Sequence, residues 1–212
     1  MSAPILVTGG TGTLGSYVVR LLCDRGSVVR VLSRKPRSGN EGVEYVVGDL
    51  ARPAGVDEAV DGVDVIVHCA SARKGDAAAT RNLVTAAAGH GRRPHLVYIS
   101  VAGVDTVPFG YFRAKREAEE IVTGSGLPWT LQRATQFYDF VLTGAKGMTR
   151  LPVVVVPRDF LCQPVDPAEV AGRLVGLASG PPSGRVPDMG GPEVSSRAAT
   201  VAAGFMITER GQ

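Results

Sequence analysis

The chain has few cysteines and no close pair of them. Cys23, Cys69 and Cys162 stand far apart among the 212 residues, each among apolar or small neighbours. We therefore expect neither a zinc site nor a redox-active dithiol, and no metal site of another kind is indicated. Free buried cysteines are typical of a reducing compartment, which favours the cytoplasm.

Long apolar runs and concentrated positive charge are also absent. No run of about 18 apolar residues occurs, so no membrane span is expected. The first residues lack a basic segment followed by a long apolar stretch, so no secretory signal is expected either. The formal net charge is only +3, whereas nucleic-acid binding needs a concentrated basic stripe. Hydrophobic residues at 44% and charged residues at 20% are an ordinary balance for a globular domain.

Short apolar runs alternate with helical patterns over the first two thirds of the chain. Strands are predicted at residues 5–7, 28–32, 43–47, 63–70, 96–100 and 129–133. Helices are predicted at residues 14–25, 76–88 and 111–122. This alternation favours βαβ units, and right-handed crossovers then give an α/β fold with a doubly wound parallel sheet of the Rossmann type.

The pattern changes after about residue 144. Two apolar runs, 151–156 and 160–165, precede a helix predicted to begin after the N-cap Asp166 and to end near Ala178. The length suits one domain over residues 1–212. Within it, residues 145–192 are expected to form a small C-terminal substrate-binding region, and residues 193–212 a loosely ordered tail.

A glycine-rich turn, Thr8-Gly9-Gly10-Thr11-Gly12-Thr13-Leu14-Gly15, follows the first predicted strand and opens the first helix. Such a turn lets the backbone approach a pyrophosphate, and the helix N-terminus favours its negative charge. The residues expected to contact a dinucleotide here are Gly9, Thr11, Gly12, Thr13, Leu14 and Gly15. The alternative is a turn that binds nothing, but the strand before it and the helix after it favour binding.

The second predicted strand ends in Ser33-Arg34-Lys35, without the carboxylate that usually meets the adenosine ribose of NAD. The guanidinium of Arg34 can instead hold a 2′-phosphate with bidentate hydrogen bonds, and Ser33 can add a hydroxyl donor. The sequence therefore predicts NADP(H) as the cofactor. The alternative is a basic loop that only faces solvent.

The third and fourth predicted strands end in further candidate contacts. Asp49 could accept a hydrogen bond from the adenine amino group and Leu50 could pack on the ring, although Asp49 could equally cap the next helix. Cys69 and Ala70 are small enough for the backbone to lie against the ribose and pyrophosphate. His68 is interpreted as a packed histidine with satisfied hydrogen bonds rather than a catalytic one.

Together these segments resemble the short-chain dehydrogenase/reductase superfamily, and specifically its atypical, NmrA-like branch of NAD(P)-binding proteins. The resemblance covers about residues 4–192. Its motifs are the glycine-rich turn, Ser33-Arg34, Gly48-Asp49-Leu50, the strand at 97–100, Tyr111-Phe112-Arg113-Ala114-Lys115 and the segment 127–134. Some NmrA-like proteins are regulators that bind NADP without turnover, so the resemblance leaves catalysis open.

The Tyr111-x-x-x-Lys115 spacing places both side chains on one helix face. The resemblance implies that Tyr111 donates a proton to the substrate oxygen, and that Lys115 lowers the pKa of Tyr111 and binds the nicotinamide ribose. It also implies that Ser100 polarises the substrate carbonyl. The alternative is that Tyr111 packs and that Lys115 belongs to a solvated charged face with Arg113, Arg116, Glu117, Glu119 and Glu120.

The substrate pocket is expected after the sixth strand, near Gln132, Arg133, Thr135 and Gln136, with Phe137 or a neighbouring aromatic residue in the core. An apolar lid from the later runs would suit a quinone or an aromatic ketone. The sequence therefore predicts an NADPH-dependent oxidoreductase that reduces a small-molecule carbonyl or quinone.

Two other functions stay open. One is a non-enzymatic NADP(H)-sensing regulator that acts through a protein partner. The other, less favoured, is an epimerase-like or dehydratase enzyme, which needs a larger substrate domain than this chain offers. Exposed apolar surface on the last helices could also pair two copies, so a homo-oligomer is a further expectation.

Overall fold

The computed structural model describes residues 3–39, 42–52, 54–71, 75–108, 110–138, 161–192 and 195–196. The strands are β1 (Ile5–Thr8), β2 (Val29–Ser33), β3 (Val43–Val47), β4 (Val65–His68), β5 (His95–Val101), β6 (Trp129–Ala134), β7 (Leu161–Cys162), β8 (Gly184–Arg185) and β9 (Ser195–Ser196). The helices are α1 (Thr13–Asp24), α2 (Val56–Val60), α3 (Asp76–Gly89), α4 (Gly110–Thr123) and α5 (Pro167–Ala178). None of these helices is long and apolar enough to cross a membrane.

Seven strands form one sheet in the order β3-β2-β1-β4-β5-β6-β8, and every neighbouring pair is parallel. The chain first adds strands on one side of β1 and then returns to its other side with β4. This reversal of strand order creates a switch point between β1 and β4, where doubly wound sheets bind their ligands. The predicted Rossmann-type fold class is confirmed.

Side chains of successive strand residues point to opposite faces of the sheet and so build two cores. On one face, Leu6, Ile66 and Tyr98 pack with residues of α2, α3 and α4. On the other face, Val7 and Val67 pack with residues of α1 and α5. Because helices cover both faces, the central strand β5 is buried along its whole length.

Three short elements were not predicted. Helix α2 has only five residues, too few for a helical period to show. Strand β8 lies in a segment rich in glycine and proline, a composition that favours loops. Strand β9 pairs antiparallel with β7, although a loosely ordered tail was expected there. The apolar run 151–156 and most of the tail lie outside the described residues.

The N-terminus of α5 follows its sequence signals closely. Asp166 is the N-cap, its carboxylate accepts a hydrogen bond from the backbone N–H of Ala168 at 2.7 Å, and Pro167 is the first helical residue. Proline costs nothing there because its missing N–H has no partner within the helix. The cap thereby fixes the start of the helix that packs against α1.

Replacing Asp166 with alanine removes the acceptor for an otherwise unpaired helix N–H. We expect the free energy of unfolding to fall by about 1 kcal/mol, measured by urea denaturation. The matched Asp166→Ser variant keeps a capping oxygen and should stay close to the wild type. Equal stability of the alanine variant and the wild type would contradict this role.

Candidate cofactor and active site

The glycine-rich turn is held by close backbone packing at the switch point. Gly9 has φ +71°, and a Cβ there would lie 2.6 Å from the backbone nitrogen of Ala70. A Cβ on Gly15 would overlap the carbonyl oxygen of Gly9. The N–H of Gly12 donates to that same oxygen at 2.9 Å. Positions 9 and 15 therefore accept only glycine, because a Cβ at either position would meet backbone atoms that cannot move aside.

Helix α1 begins directly after this turn without a side-chain cap. Gly12 is the N-cap, no side chain accepts from the first N–H groups, and the first turn carries no acidic residue. Thr11 and Thr13 are exposed, whereas Leu14 packs in the core. Free N–H groups and the positive end of the helix dipole suit a phosphate group. The geometry therefore fits a pyrophosphate at the predicted position.

The loop after β2 presents exposed basic groups. Ser33 is buried, and its hydroxyl donates to the carbonyl of Lys35 at 2.9 Å, so it shapes the loop. Arg34, Lys35 and Arg37 are exposed, and within the described residues none of them forms an ion pair. The hydroxyl predicted as a phosphate donor is therefore already engaged, while the Arg34 guanidinium remains available for an anion.

Asp49 and Leu50 form a tight turn after β3. The carboxylate of Asp49 accepts a hydrogen bond from the N–H of Ala51 at 3.0 Å. The N-cap of α2 is Gly55, so the alternative that Asp49 caps the next helix is wrong. Leu50 is buried, and its carbonyl accepts from the side-chain amide of Asn82. This turn lies beside the loop that carries Arg34, because Gly48 donates to the Ser33 carbonyl at 2.9 Å.

Cys69 and Ala70 continue β4 at the switch point. The N–H of Cys69 donates to the carbonyl of Thr8 at 3.0 Å, which joins the ends of β1 and β4. Burial raises the pKa of the Cys69 thiol to about 12, and the Lys115 charge offsets this only in part. The thiol is therefore protonated at neutral pH, as expected of a packing residue rather than a nucleophile.

His68 is fully buried and has a partner at each ring nitrogen. Nδ1 lies 2.6 Å from the Thr8 hydroxyl and Nε2 lies 3.1 Å from the Thr80 hydroxyl. The Thr80 hydroxyl donates its proton to the Asp76 carbonyl at 2.9 Å, so Nε2 must carry the hydrogen that Thr80 accepts. Burial, helped by the Lys115 charge, lowers the pKa of His68 to about 3. The interpretation as a satisfied, packed histidine is confirmed.

Lys115 is buried in an ion pair that the sequence did not reveal. Its Nζ lies 3.0 Å from Oδ2 of Asp76, and both side chains are at most 4% exposed. Nζ also donates to the Tyr98 hydroxyl at 3.3 Å. Burial opposes the ammonium, but electrostatic interactions with Tyr98, Asp76 and Tyr111 prevail and raise the pKa of Lys115 above its ordinary value. The alternative of a solvated charged face is wrong for Lys115 and for Glu119, which is also buried.

The other two predicted catalytic side chains have different surroundings. Tyr111 is 42% exposed and meets Phe112 edge to face at 5.7 Å between ring centroids. Ser100 is buried on the same face of β5 as Tyr98. The Ser100 hydroxyl has no hydrogen-bond partner in the part of the chain that the structure describes. A buried hydroxyl is costly without a partner, which marks Ser100 as a candidate ligand contact.

Gln132 and Arg133 lie within β6 and not after it, and both side chains are buried and bonded to other protein groups. The Arg133 guanidinium binds the Glu119 carboxylate through two hydrogen bonds of 2.6 and 2.8 Å, and it also pairs with Asp105. The Gln132 amide donates to the carbonyls of Arg133 and Pro187. These side chains therefore serve to join α4, β6 and the loop after β5.

The buried, neutral state of His68 makes folding sensitive to acid. The folded protein leaves His68 unprotonated down to about pH 3, whereas the unfolded chain binds a proton below about pH 6.5. The stabilisation is complete above pH 6.5 and is lost as the pH falls from 6.5 towards 3, by up to about 4 kcal/mol.

We expect this loss in denaturant unfolding of the wild type and a flatter acid profile for His68→Asn. Equal acid profiles for His68→Asn and the wild type would contradict the assigned protonation state.

Comparison with known proteins agrees with this geometry. A solved structure, the NADPH-dependent quinone oxidoreductase QOR2 of Escherichia coli complexed with NADPH, superposes with a TM-score of 0.81. The superposition covers 97% of this chain and 75% of that chain, at 23% identity. At that identity the likeness concerns the fold alone.

Two curated proteins are similar in sequence. The (4-alkanoyl-5-oxo-2,5-dihydrofuran-3-yl)methyl phosphate reductase of Streptomyces griseus is 35% identical over 198 residues, which are 89% of this chain and 68% of that protein. Quinone oxidoreductase 2 of Escherichia coli K12 is 28% identical over 148 residues, which are 66% of this chain and 51% of that protein. The chain therefore spans about half to two thirds of the length of these relatives.

A family model described as NAD(P)H-binding matches residues 9–158, a segment that contains the glycine-rich turn, Arg34, Ser100 and Lys115. The relatives named above are reductases, so the expectation of an oxidoreductase is confirmed at the level of the family. The chain belongs to the NAD(P)H-binding family, and the reductase of Streptomyces griseus is one of its relatives.

Proposed function

We propose that the chain is an NADPH-dependent oxidoreductase that reduces a carbonyl or quinone. The observation that carries this proposal is the contact between the Gly9 and Ala70 backbones at the switch point, beside the uncapped start of α1. Ser100 lies on β5, the strand next to β4, and Lys115 of α4 contacts Tyr98 of the same strand. A cofactor with its pyrophosphate on α1 can therefore extend across the sheet edge towards both side chains.

In this proposal NADP(H) is held at three places. The N–H groups at the start of α1, together with Thr11 and Thr13, bind the pyrophosphate, and the small residues Cys69 and Ala70 leave room for it. Arg34 binds the adenosine 2′-phosphate, supported by its exposure and by the lack of an ion pair within the described residues. Asp49 and Leu50 flank the adenine.

The proposed chemistry divides into hydride and proton delivery. The reduced nicotinamide, when bound, supplies the hydride. The Lys115 ammonium binds the nicotinamide ribose, and the Ser100 hydroxyl donates a hydrogen bond to the acceptor oxygen. Tyr111 donates the proton that this oxygen needs, from an exposed position that a substrate can reach. Residues 145–192 would complete the substrate pocket, although 145–160 lie outside the described residues.

The acceptor class rests on the relatives and on the site. The similar proteins are named as a reductase of a furanone phosphate and as a quinone oxidoreductase. Both names fit an unsaturated carbonyl or quinone acceptor. Ser100 and Tyr111 are neutral polar groups, which suit hydrogen bonding to the oxygen of a carbonyl or quinone.

The cofactor preference is tested with two arginines of one loop. Arg34→Ala should weaken NADPH binding by about tenfold or more and leave NADH binding nearly unchanged, because it removes charge-assisted hydrogen bonds to the 2′-phosphate alone. Titration calorimetry with both cofactors measures this. The matched Arg37→Ala variant removes an exposed charge from the same loop and should change NADPH binding far less. Equal losses of NADPH affinity in both variants would show that Arg34 acts only through general electrostatic attraction and not through a specific contact with the 2′-phosphate.

The function itself is tested by the oxidation of NADPH, followed by absorbance, against quinones and aromatic or aliphatic ketones. We expect turnover with one acceptor class and a preference for NADPH over NADH. Tyr111→Phe should lower kcat by about a hundredfold or more for a ketone that requires proton donation, with NADPH affinity unchanged. Full turnover by Tyr111→Phe would remove Tyr111 from the mechanism. Tight NADPH binding without turnover on any acceptor would instead favour the alternative function, a non-enzymatic NADP(H)-sensing regulator.

A further inference from the structure

We propose that Asp76 is a positioning residue that holds the Lys115 ammonium inside the site, where it can bind the nicotinamide ribose. This inference rests on the proposed function for the role of Lys115, and on the buried ion pair for the role of Asp76. Asp76 lies in α3 and Lys115 in α4, so the contact depends on the fold and not on a sequence motif.

The first support is geometric. A lysine side chain is long and flexible, and it usually extends towards water. Here Nζ is turned inwards and lies 3.0 Å from Asp76 Oδ2, 3.3 Å from the Tyr98 hydroxyl and 5.1 Å from the centroid of the Tyr98 ring. Three favourable contacts thus act on one ammonium, and of the two side chains that make them only Asp76 is a carboxylate.

The second support is that the Asp76 backbone takes part in a series of buried hydrogen bonds. Its backbone carbonyl accepts from the Thr80 hydroxyl, which accepts from His68, and His68 in turn meets Thr8. Thr8 directly precedes the glycine-rich turn. A continuous buried chain of hydrogen bonds therefore joins the pyrophosphate end of the proposed cofactor site to the residue that holds Lys115.

The third support is energetic. A buried ammonium without a counter-ion is strongly disfavoured and would either lose its proton or turn out to solvent. The groups that act on Lys115 come from each element around it: Asp76 of α3, Tyr98 of β5, His68 and Cys69 at the end of β4, and Tyr111 of its own helix. Neutral His68 and Cys69 cannot replace the carboxylate, so Asp76 supplies the carboxylate counter-ion of the buried ammonium, while Tyr98 adds a hydrogen bond.

The test first follows the protonation of Lys115 in the cofactor-free protein. The chain contains four lysines, so NMR of protein labelled with ¹³C at the lysine ε-carbon can assign Lys115 from its loss in Lys115→Arg. In Asp76→Asn, which keeps the shape and removes the charge, Lys115 should titrate at a lower pH than it does in the wild type. An unchanged titration of Lys115 would overturn the proposal.

The second readout is the affinity for NADPH. Asp76→Asn should weaken it by about tenfold, and Asp76→Glu, which keeps the carboxylate, should recover part of the loss. The matched control is Asp57→Asn, which removes an exposed acidic residue from the first turn of α2 and should leave NADPH affinity and the Lys115 titration unchanged. Equal affinity in Asp76→Asn and the wild type would also overturn the proposal.

A milder variant covers the case in which Asp76→Asn does not fold. Tyr98→Phe keeps the buried ring and removes only the hydroxyl that accepts from Lys115, so NADPH affinity should fall by about threefold. Asp76 still faces Lys115 in this variant, so Lys115 should keep its charge; loss of the Lys115 charge in Tyr98→Phe would assign the role to Tyr98 and overturn the proposal. If the wild-type protein binds no NADPH, the proposed function is wrong. The titration of Lys115 in the cofactor-free protein still decides whether Asp76 maintains the charge of Lys115.

Discussion

The architecture of the site depends on the close approach of two backbone segments at the switch point of the sheet. The turn after β1 and the end of β4 touch at Gly9 and Ala70, with no space for a side chain on Gly9. This contact sets where α1 begins and leaves its first N–H groups without a side-chain partner. A local steric constraint therefore creates the electropositive helix end that the proposed cofactor site requires.

A second constraint arises where β5 passes beneath α3 and α4. The apolar residues of these helices cover one face of the sheet, and the Lys115–Asp76 pair is enclosed among them. Burying two charged side chains has a considerable desolvation cost. Hydrophobic residues in place of such a pair often give a protein of equal stability. The pair is thus better explained by a role in the site than by a contribution to stability.

The parts of the fold that depend on local patterns could be predicted. Each strand of β1 to β6 has a short apolar run, and the turn at Gly9 and the cap at Asp166 have distinctive residues. The partner of Lys115 could not be predicted in this way, because helical spacing points to Tyr111 whereas the structure adds Asp76 and Tyr98 from other elements.

Some signals for these partners were nevertheless present in the sequence. Asp76 begins a helix just after the loop that follows β4, and parallel strands place such loops at the ligand-binding edge. Tyr98 precedes Ser100 by two positions on β5 and therefore shares its face. By contrast, no local pattern in the sequence indicates that Arg133 pairs with Glu119 and Asp105. These contacts bind the guanidinium group that was expected to face the substrate pocket.

The central claim, that one sheet edge holds NADP(H) between α1 and Lys115, is tested most directly by a crystal structure with NADPH bound. The account predicts the pyrophosphate at the N-terminus of α1, the 2′-phosphate within hydrogen-bond distance of Arg34, and the Lys115 ammonium on the nicotinamide ribose with Asp76 still in contact. A cofactor bound elsewhere, or a nicotinamide ribose held without Lys115, would contradict it.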